Sequence, residues 1–165
     1  MSSDFPDLNK VVEKAWKKVA SPRKLKKHGE TMAKTMKART RLGKGIGLAG
    51  KMGKLKSLSL LYIEYRKMLA KKGKLHPHTK PNKSNLTLTG QLLNSIRGGS
   101  KRFGEIMISI LPDRRGGKPD NHDIVKFQEE QGRKFFDVLH TERNLLQSDI
   151  RNDLADEIDQ ELKKL

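Results

Sequence analysis

The chain contains no cysteine, so disulfide staples and thiolate metal sites are both excluded. That absence fits a reducing compartment. Aromatic residues are also scarce, at 5% of 165 positions. Single-strand and RNA readers commonly stack bases on such side chains, so platforms of that kind are few. No apolar run approaches the roughly 20 residues needed to span a bilayer, and no membrane partner is expected. The opening stretch, Met1 to Asp7, lacks the basic start and apolar segment of a signal peptide. A soluble intracellular product is the expectation. With 34% hydrophobic and 33% charged residues, the core must be modest for one domain of this length.

Acids are the other scarcity, and it is local. Between Leu8 and Lys83 stand 23 Lys or Arg against only Glu13, Glu30 and Glu64, a balance of 23 − 3 = +20 that exceeds the +17 of the whole chain. From Thr141 to Leu165 the balance reverses, with four bases against seven acids. A charge split this sharp implies that the basic part meets something negative. Nucleic acid and an acidic protein surface are the two candidates.

Periodicity divides the chain into three stretches of one domain: basic helices over 1–42, an arm with a helix and a basic loop over 43–83, and an α+β core over 84–165. Leu8, Val11, Val12, Ala15, Trp16 and Val19 predict a helix over 7–20, capped by Asp4 or Asp7. A second helix over 22–41 has a thin apolar stripe of Leu25, Met32, Met36 and Ala33, so it needs a partner. Five glycines between Gly43 and Gly53 predict a loop or extended arm. Leu58, Leu61, Tyr62, Tyr65 and Leu69 predict a helix over 57–70, followed by loop to Ser84. Trp16, Tyr62 and Tyr65 share stripes with aliphatic residues and read as core.

In the last stretch a short helix over 88–96 turns Leu92, Leu93 and Ile96 inward. Alternation predicts a strand over 102–111, then a turn over 112–119. Residues 124–130 suit helix or strand and end at Gly132, and 133–138 read as a short strand. A final helix, capped by Thr141, carries Leu145, Leu146, Ile150, Leu154, Ile158 and Leu162. Its acids Asp153, Asp156, Glu157, Asp159 and Glu161 read as a solvated face. The fold class expected is α+β: a small antiparallel β-sheet packed by helices, with basic N-terminal helices, a Gly-rich arm and a long amphipathic C-terminal helix.

Chemical motifs are few. Gly45 to Met52 contains both GxGxxG and GxxxxGK spacings. A phosphate loop needs a buried strand before it, a helix after it and a hydroxyl for magnesium. Here a basic stretch precedes Gly45, and Met52 stands where Ser or Thr is required. The segment reads as a glycine-rich hinge or arm. The five histidines lack metal-ligand spacing, and no nucleophile elbow or triad signature is present. No catalytic residue, cofactor or metal is expected.

Three segments carry a resemblance. They are Leu58-Ser-Leu-Leu-Tyr-Ile-Glu-Tyr-Arg-Lys67, Ser84-Asn-Leu-Thr-Leu-Thr-Gly-Gln-Leu-Leu-Asn-Ser-Ile96, and Gly132-Arg-Lys-Phe-Phe-Asp-Val138 ahead of an amphipathic helix. From Gly53 onward the chain resembles tailed-bacteriophage tail-completion, head–tail joining or neck proteins, also called virion morphogenesis proteins. Their pattern runs "LS..Y...R", "NLT.TG.L..SI" and "GRPFF". Lys134 departs from it where many relatives have Pro. The matching positions are Ser84, Asn85, Leu86, Thr87, Thr89, Gly90, Leu93, Ser95, Ile96, Gly132, Arg133, Phe135 and Phe136.

The resemblance implies a non-enzymatic virion protein at the head–tail junction, assembled in the host cytoplasm as a homo-oligomeric ring, commonly six-fold. It would join tail tube or tail terminator proteins to the head connector. The candidate contacts for acidic partners, or secondarily for packaged DNA, are Lys17, Lys18, Arg23, Lys24, Lys26, Lys27, Lys37, Arg39, Arg41, Lys44, Lys51 and Lys54. The alternative is a small basic nucleic-acid-binding protein that contacts phosphates without sequence specificity.

Overall fold

The computed structural model describes residues 8–75, 79–82, 91–112 and 119–164. The proposed Asp4 or Asp7 cap lies outside the described residues. So does most of the second motif: Ser84, Asn85, Leu86, Thr87, Thr89 and Gly90.

Helix α1 (Leu8–Val19) buries Val11, Ala15 and Val19, one residue per turn. Leu8, Val12 and Trp16 are also apolar but lie outside, Trp16 being 43% exposed, so the buried stripe is narrower than predicted. Helix α2 (Pro22–Arg41) has the predicted bounds, with Pro22 in the first turn where its missing N–H costs nothing. Positive φ at Gly43 (74°) carries the chain out of α2.

The glycine-rich stretch is a hairpin rather than an unstructured loop. Strands β1 (Lys44–Ile46) and β2 (Met52–Lys54) pair antiparallel around a single 3₁₀ turn, Leu48–Gly50. Gly45 allows the hairpin to approach the chain at Lys134, whose carbonyl accepts the Ile46 N–H at 2.8 Å. Helix α3 (Leu60–Lys71) starts later than predicted because Ser59 caps it, its Oγ accepting the Tyr62 N–H at 3.3 Å. The predicted inward stripe fails here. Leu61 is 86% exposed, Tyr62 and Tyr65 are on the surface, and Arg66 is the buried residue of the helix.

Helix α4 (Gln91–Ser95) leads directly into strand β3 (Ile96–Gly99), which periodicity did not reveal. Its partner β4 (Met107–Ile110) is shorter than the predicted strand over 102–111, because the bend and turn residues before it interrupt the ladder. Gly104 sits there at φ 72° and donates its N–H to the Ala20 carbonyl at 2.9 Å. Helix α5 (Asn121–Glu130) opens on a reciprocal capping box between Asp120 and Asp123. Gly132, at φ 75°, ends it as expected.

Residues 133–138 form no strand. Among the described residues the Lys134 carbonyl accepts from β1 and the Arg133 N–H turns back to the Gln128 carbonyl, so no ladder is built. The N-cap of helix α6 (His140–Leu162) is Leu139, not Thr141, and the Glu142 carboxylate accepts the Leu139 N–H at 2.9 Å.

The described residues thus form an α+β fold with two separate two-stranded antiparallel sheets and a long C-terminal helix. No helix among them is long and apolar enough to cross a membrane. The core joins Ala33 of α2, Leu55, Leu92, Leu93, Ile96, Ile110 and Phe135. Phe135 is fully buried, while Phe136 packs against it half-buried with the rings edge-on at 6.5 Å.

Among the described glycines, the tightest approach to another segment joins α2 to β3. A Cβ on Gly29 would fall 2.6 Å from the Gly99 nitrogen, and one on Gly98 would collide with the Gly29 carbonyl. These glycines fix β3 against the basic helix α2.

Candidate functional site

Helix α2 is basic on most of its surface, and the fold sorts its cations by what lies opposite. Helix α6 lies along α1 and touches α2. Of its acids predicted as a solvated face, Asp156 and Asp159 are exposed, while Asp153, Glu157 and Glu161 are drawn against these basic helices. The Lys18 ammonium reaches Glu157 at 3.2 Å and Glu161 at 2.5 Å, and Lys24 reaches Glu157 at 3.2 Å. The His28 ring lies 3.1 Å from Asp153. Periodicity missed this because it marks apolar stripes, whereas this contact is made by charge. Leu146, Ile150, Leu154 and Ile158 are only half-buried, and Leu145 is exposed.

Electrostatic effects follow the geometry. Its bonds to Glu161 and Glu157 push the Lys18 ammonium above its ordinary range. Lys18 and Lys24 hold the Glu157 carboxyl below the usual carboxylate range. Lys164, and then Lys18, draw Glu161 down to about 2.

Deeper in the same contact, Arg39 is a structural residue and not a partner-facing one. Its guanidinium meets Glu142 at 2.7 Å, the two side chains being 4% and 5% exposed, and it also donates to the Asp137 carbonyl. Glu142 thereby holds the first turn of α6 and a buried arginine together.

The α1–α2 elbow at Ser21 opens a cavity of about 530 Å³ lined by Lys17, Lys18, Arg23, Lys24, Lys27 and Glu157. Five of the predicted cations are thus brought to one place. Three of them are already engaged, since Lys17 pairs with Glu13 at 2.5 Å and Lys18 and Lys24 hold α6. Lys26 pairs along its own helix with Glu30 at 3.9 Å. A smaller cavity of about 160 Å³ lies between α2 and α6, among Met32, Leu145 and Leu146, with His28 and Glu142 at its rim.

The far end of α2 differs. Lys34, Lys37 and Arg41 share a helix face at i, i+3 and i+7, with Arg97 of β3 beside it. Among the described residues none of the four forms an ion pair. Lys37 is half-buried, and its ammonium is held below its ordinary range by burial first, then by Arg97, Arg41 and Lys34. The Arg41 Nε is buried and makes no hydrogen bond among the described residues. Arg97 and Lys34 were not singled out in the sequence. Arg97 stands outside the +20 stretch, and only the packing of β3 on α2 places it here. Beyond Arg41, Lys44 and Lys54 face each other across the hairpin, and both are exposed with Lys51.

The described motif residues have structural roles. Ser95 is buried and its hydroxyl donates to the Leu92 carbonyl at 2.7 Å, while Leu93 and Ile96 lie in the core. Arg133 donates to the carbonyls of Lys56 and Ser57 at 3.3 and 3.1 Å, anchoring the chain that leads into α3.

Trp16, Tyr62 and Tyr65 were expected in the core and are not there. Tyr62 and Tyr65 stack on each other at 6.1 Å, with the Arg66 guanidinium 5.8 Å from the Tyr62 ring centre. Arg66 is the buried side chain of α3, while Tyr62, one turn before it, is 37% exposed. The Gly45–Lys51 segment builds strand–turn–strand, not the strand–loop–helix of a phosphate loop.

No group of three His, Asp or Glu side chains is arranged as metal ligands among the described residues. Comparison with known proteins finds no matching family model, no similar curated protein and no similar solved structure.

Proposed function

We propose that this chain is a structural, non-enzymatic subunit of a bacteriophage head–tail junction, working as a homo-oligomeric ring in the virion. The observation that carries the reading is the outer face of α3. Leu60 and Leu61 are 81% and 86% exposed beside Tyr62, Tyr65 and Met68. A contiguous apolar face of this kind marks an interaction surface, and it lies within the first motif segment, Leu58 to Lys67. The occupant is a second copy of the chain. Outward acids of α6 (Asp149, Asp156 and Asp159) and outward cations of α2 offer unlike surfaces on one subunit, as a head-to-tail ring contact requires. The resemblance supplies the remainder: six-fold symmetry, a tail tube or tail terminator on one side and the head connector on the other.

Light scattering and electron microscopy of the purified protein, alone and with tail components, test this reading. A ring that the double substitution Leu60→Asp/Leu61→Asp reduces to folded monomer supports it. A wild-type protein that stays monomeric with those components present overturns it.

The exposed aromatics Trp16, Tyr62 and Tyr65 favour one second reading, a monomeric nucleic-acid binder that stacks bases as well as contacting phosphates. Tight, strongly salt-dependent binding to random DNA by a persistent monomer would establish it instead.

A further inference from the structure

We propose that Lys34, Lys37, Arg41 and Arg97 form a binding site for the phosphodiester backbone of nucleic acid. The four cations converge from α2 and β3, held at that separation by the glycine contact of Gly29 with Gly98 and Gly99. Three of them face one way along a helix, and Lys37 lies within the electrostatic reach of the other three. No acid among the described residues pairs with any of them, and like charges this close repel. Among the described residues the Arg41 Nε is buried with its hydrogen-bonding capacity unused, beside the terminal nitrogens of the same planar fork. An anion with several oxygens would relieve the repulsion and accept from that fork.

Charge arithmetic narrows the partner. Counting every acid, one copy retains +17, so further copies add positive charge faster than they neutralise it. The counter-charge must come from another polymer. The centres of protein–protein contacts are depleted in charge, which disfavours an acidic protein at a cluster of four cations. Along α2 the span from Lys34 to Arg41 is about 10.5 Å at 1.5 Å per residue. Phosphates recur at about 3.4 Å per strand along a duplex, so this face meets about three of them. Contact of this kind fixes position on the backbone without reading sequence. The site does not depend on the ring reading, since a ring subunit and a monomer would both present it.

The test is fluorescence anisotropy with labelled random-sequence duplex across a salt series. It compares the full-length wild type with a variant carrying Lys34→Gln, Lys37→Gln, Arg41→Gln and Arg97→Gln. A control variant removes four exposed lysines elsewhere: Lys14, Lys71, Lys72 and Lys74. The expected result is weaker binding by the first variant, its slope of log affinity against log salt shallower by about 3.6, or about 0.9 per lost contact. The control should change much less. If Arg41→Gln impairs folding, the double variant Lys34→Gln/Lys37→Gln carries the test, with an expected slope change of about 1.8. Equal losses in both four-fold variants would overturn the site. Tighter wild-type binding to polyglutamate than to DNA of matched charge would also overturn it and assign the face to an acidic protein. Because the Lys34, Lys37, Arg41 and Arg97 substitutions leave α3 untouched, the mass of that variant by light scattering reports on the ring separately.

Discussion

The two ends of α2 present similar side chains to opposite circumstances. Towards its start, Lys24 and His28 meet the acids of α6, with Lys18 of α1 joining them. Towards its end, Arg39 turns inward onto Glu142, while Lys34, Lys37 and Arg41 turn away with Arg97 and find no acid among the described residues. Charge read along the sequence does not distinguish these sets. What separates them is the path of α6, which returns an acidic helix to one flank of the basic pair and leaves the other flank bare. The acidic C-terminal segment is therefore a partner of the basic one within the same chain, for part of its charge only.

The sharpest way to break the engaged set is at its buried pair. Arg39→Ala or Glu142→Ala leaves an uncompensated charge, and such a change costs about 3–5 kcal/mol. Urea unfolding should show this loss in both variants. A loss under about 1 kcal/mol would place the pair among surface ion pairs.

Lowering the pH probes the outer pairs. Glu157 and Glu161 have depressed carboxyl pKa values, so their contribution is complete above the unfolded carboxylate value near 4.5 and disappears as pH falls towards about 2. Acid titration followed by circular dichroism should show α6 loosening across that window. Lys18→Ala/Lys24→Ala should be less stable at neutral pH, by less than the Arg39 variant, and should show a flatter acid profile.

The bare end responds in the opposite sense. Burial and three neighbouring cations already penalise the charged form of Lys37. Its folded pKa lies below 10.5, so stability should rise as pH climbs towards that value. Lys37→Gln should leave the melting temperature at pH 7 unchanged or slightly raised, as a thermal scan would record. A fall would mean that the ammonium has a structural partner.

Where local chemistry decides, the sequence was a good guide. Pro22 and Gly43 bracket α2, Gly132 stops α5, and Leu92, Leu93 and Ile96 reach the core as their pattern predicts. Where distant chain segments decide, it was not. Glu142 and Glu157 are buried because basic residues more than 100 positions away cover them. In α3 an arginine takes the inward place that periodicity assigned to tyrosines and leucine. Strand β3 escaped notice because Gly98 and Gly99 look like breakers until Gly29 is set against them. Of the candidate cations, clustering at the elbow was legible, while the Arg97 contribution at the other end required the fold.

Lysine reactivity read by mass spectrometry compares the two sets in a single experiment. Limited acetylation at mildly alkaline pH should modify Lys18 and Lys24 slowly, because each is tied to acids of α6. Lys34 and Lys37 should react quickly, Lys37 aided by its depressed pKa. Equal rates at all four positions, or protection at Lys34 and Lys37 in the free protein, would contradict the division of α2 into an engaged flank and an open one.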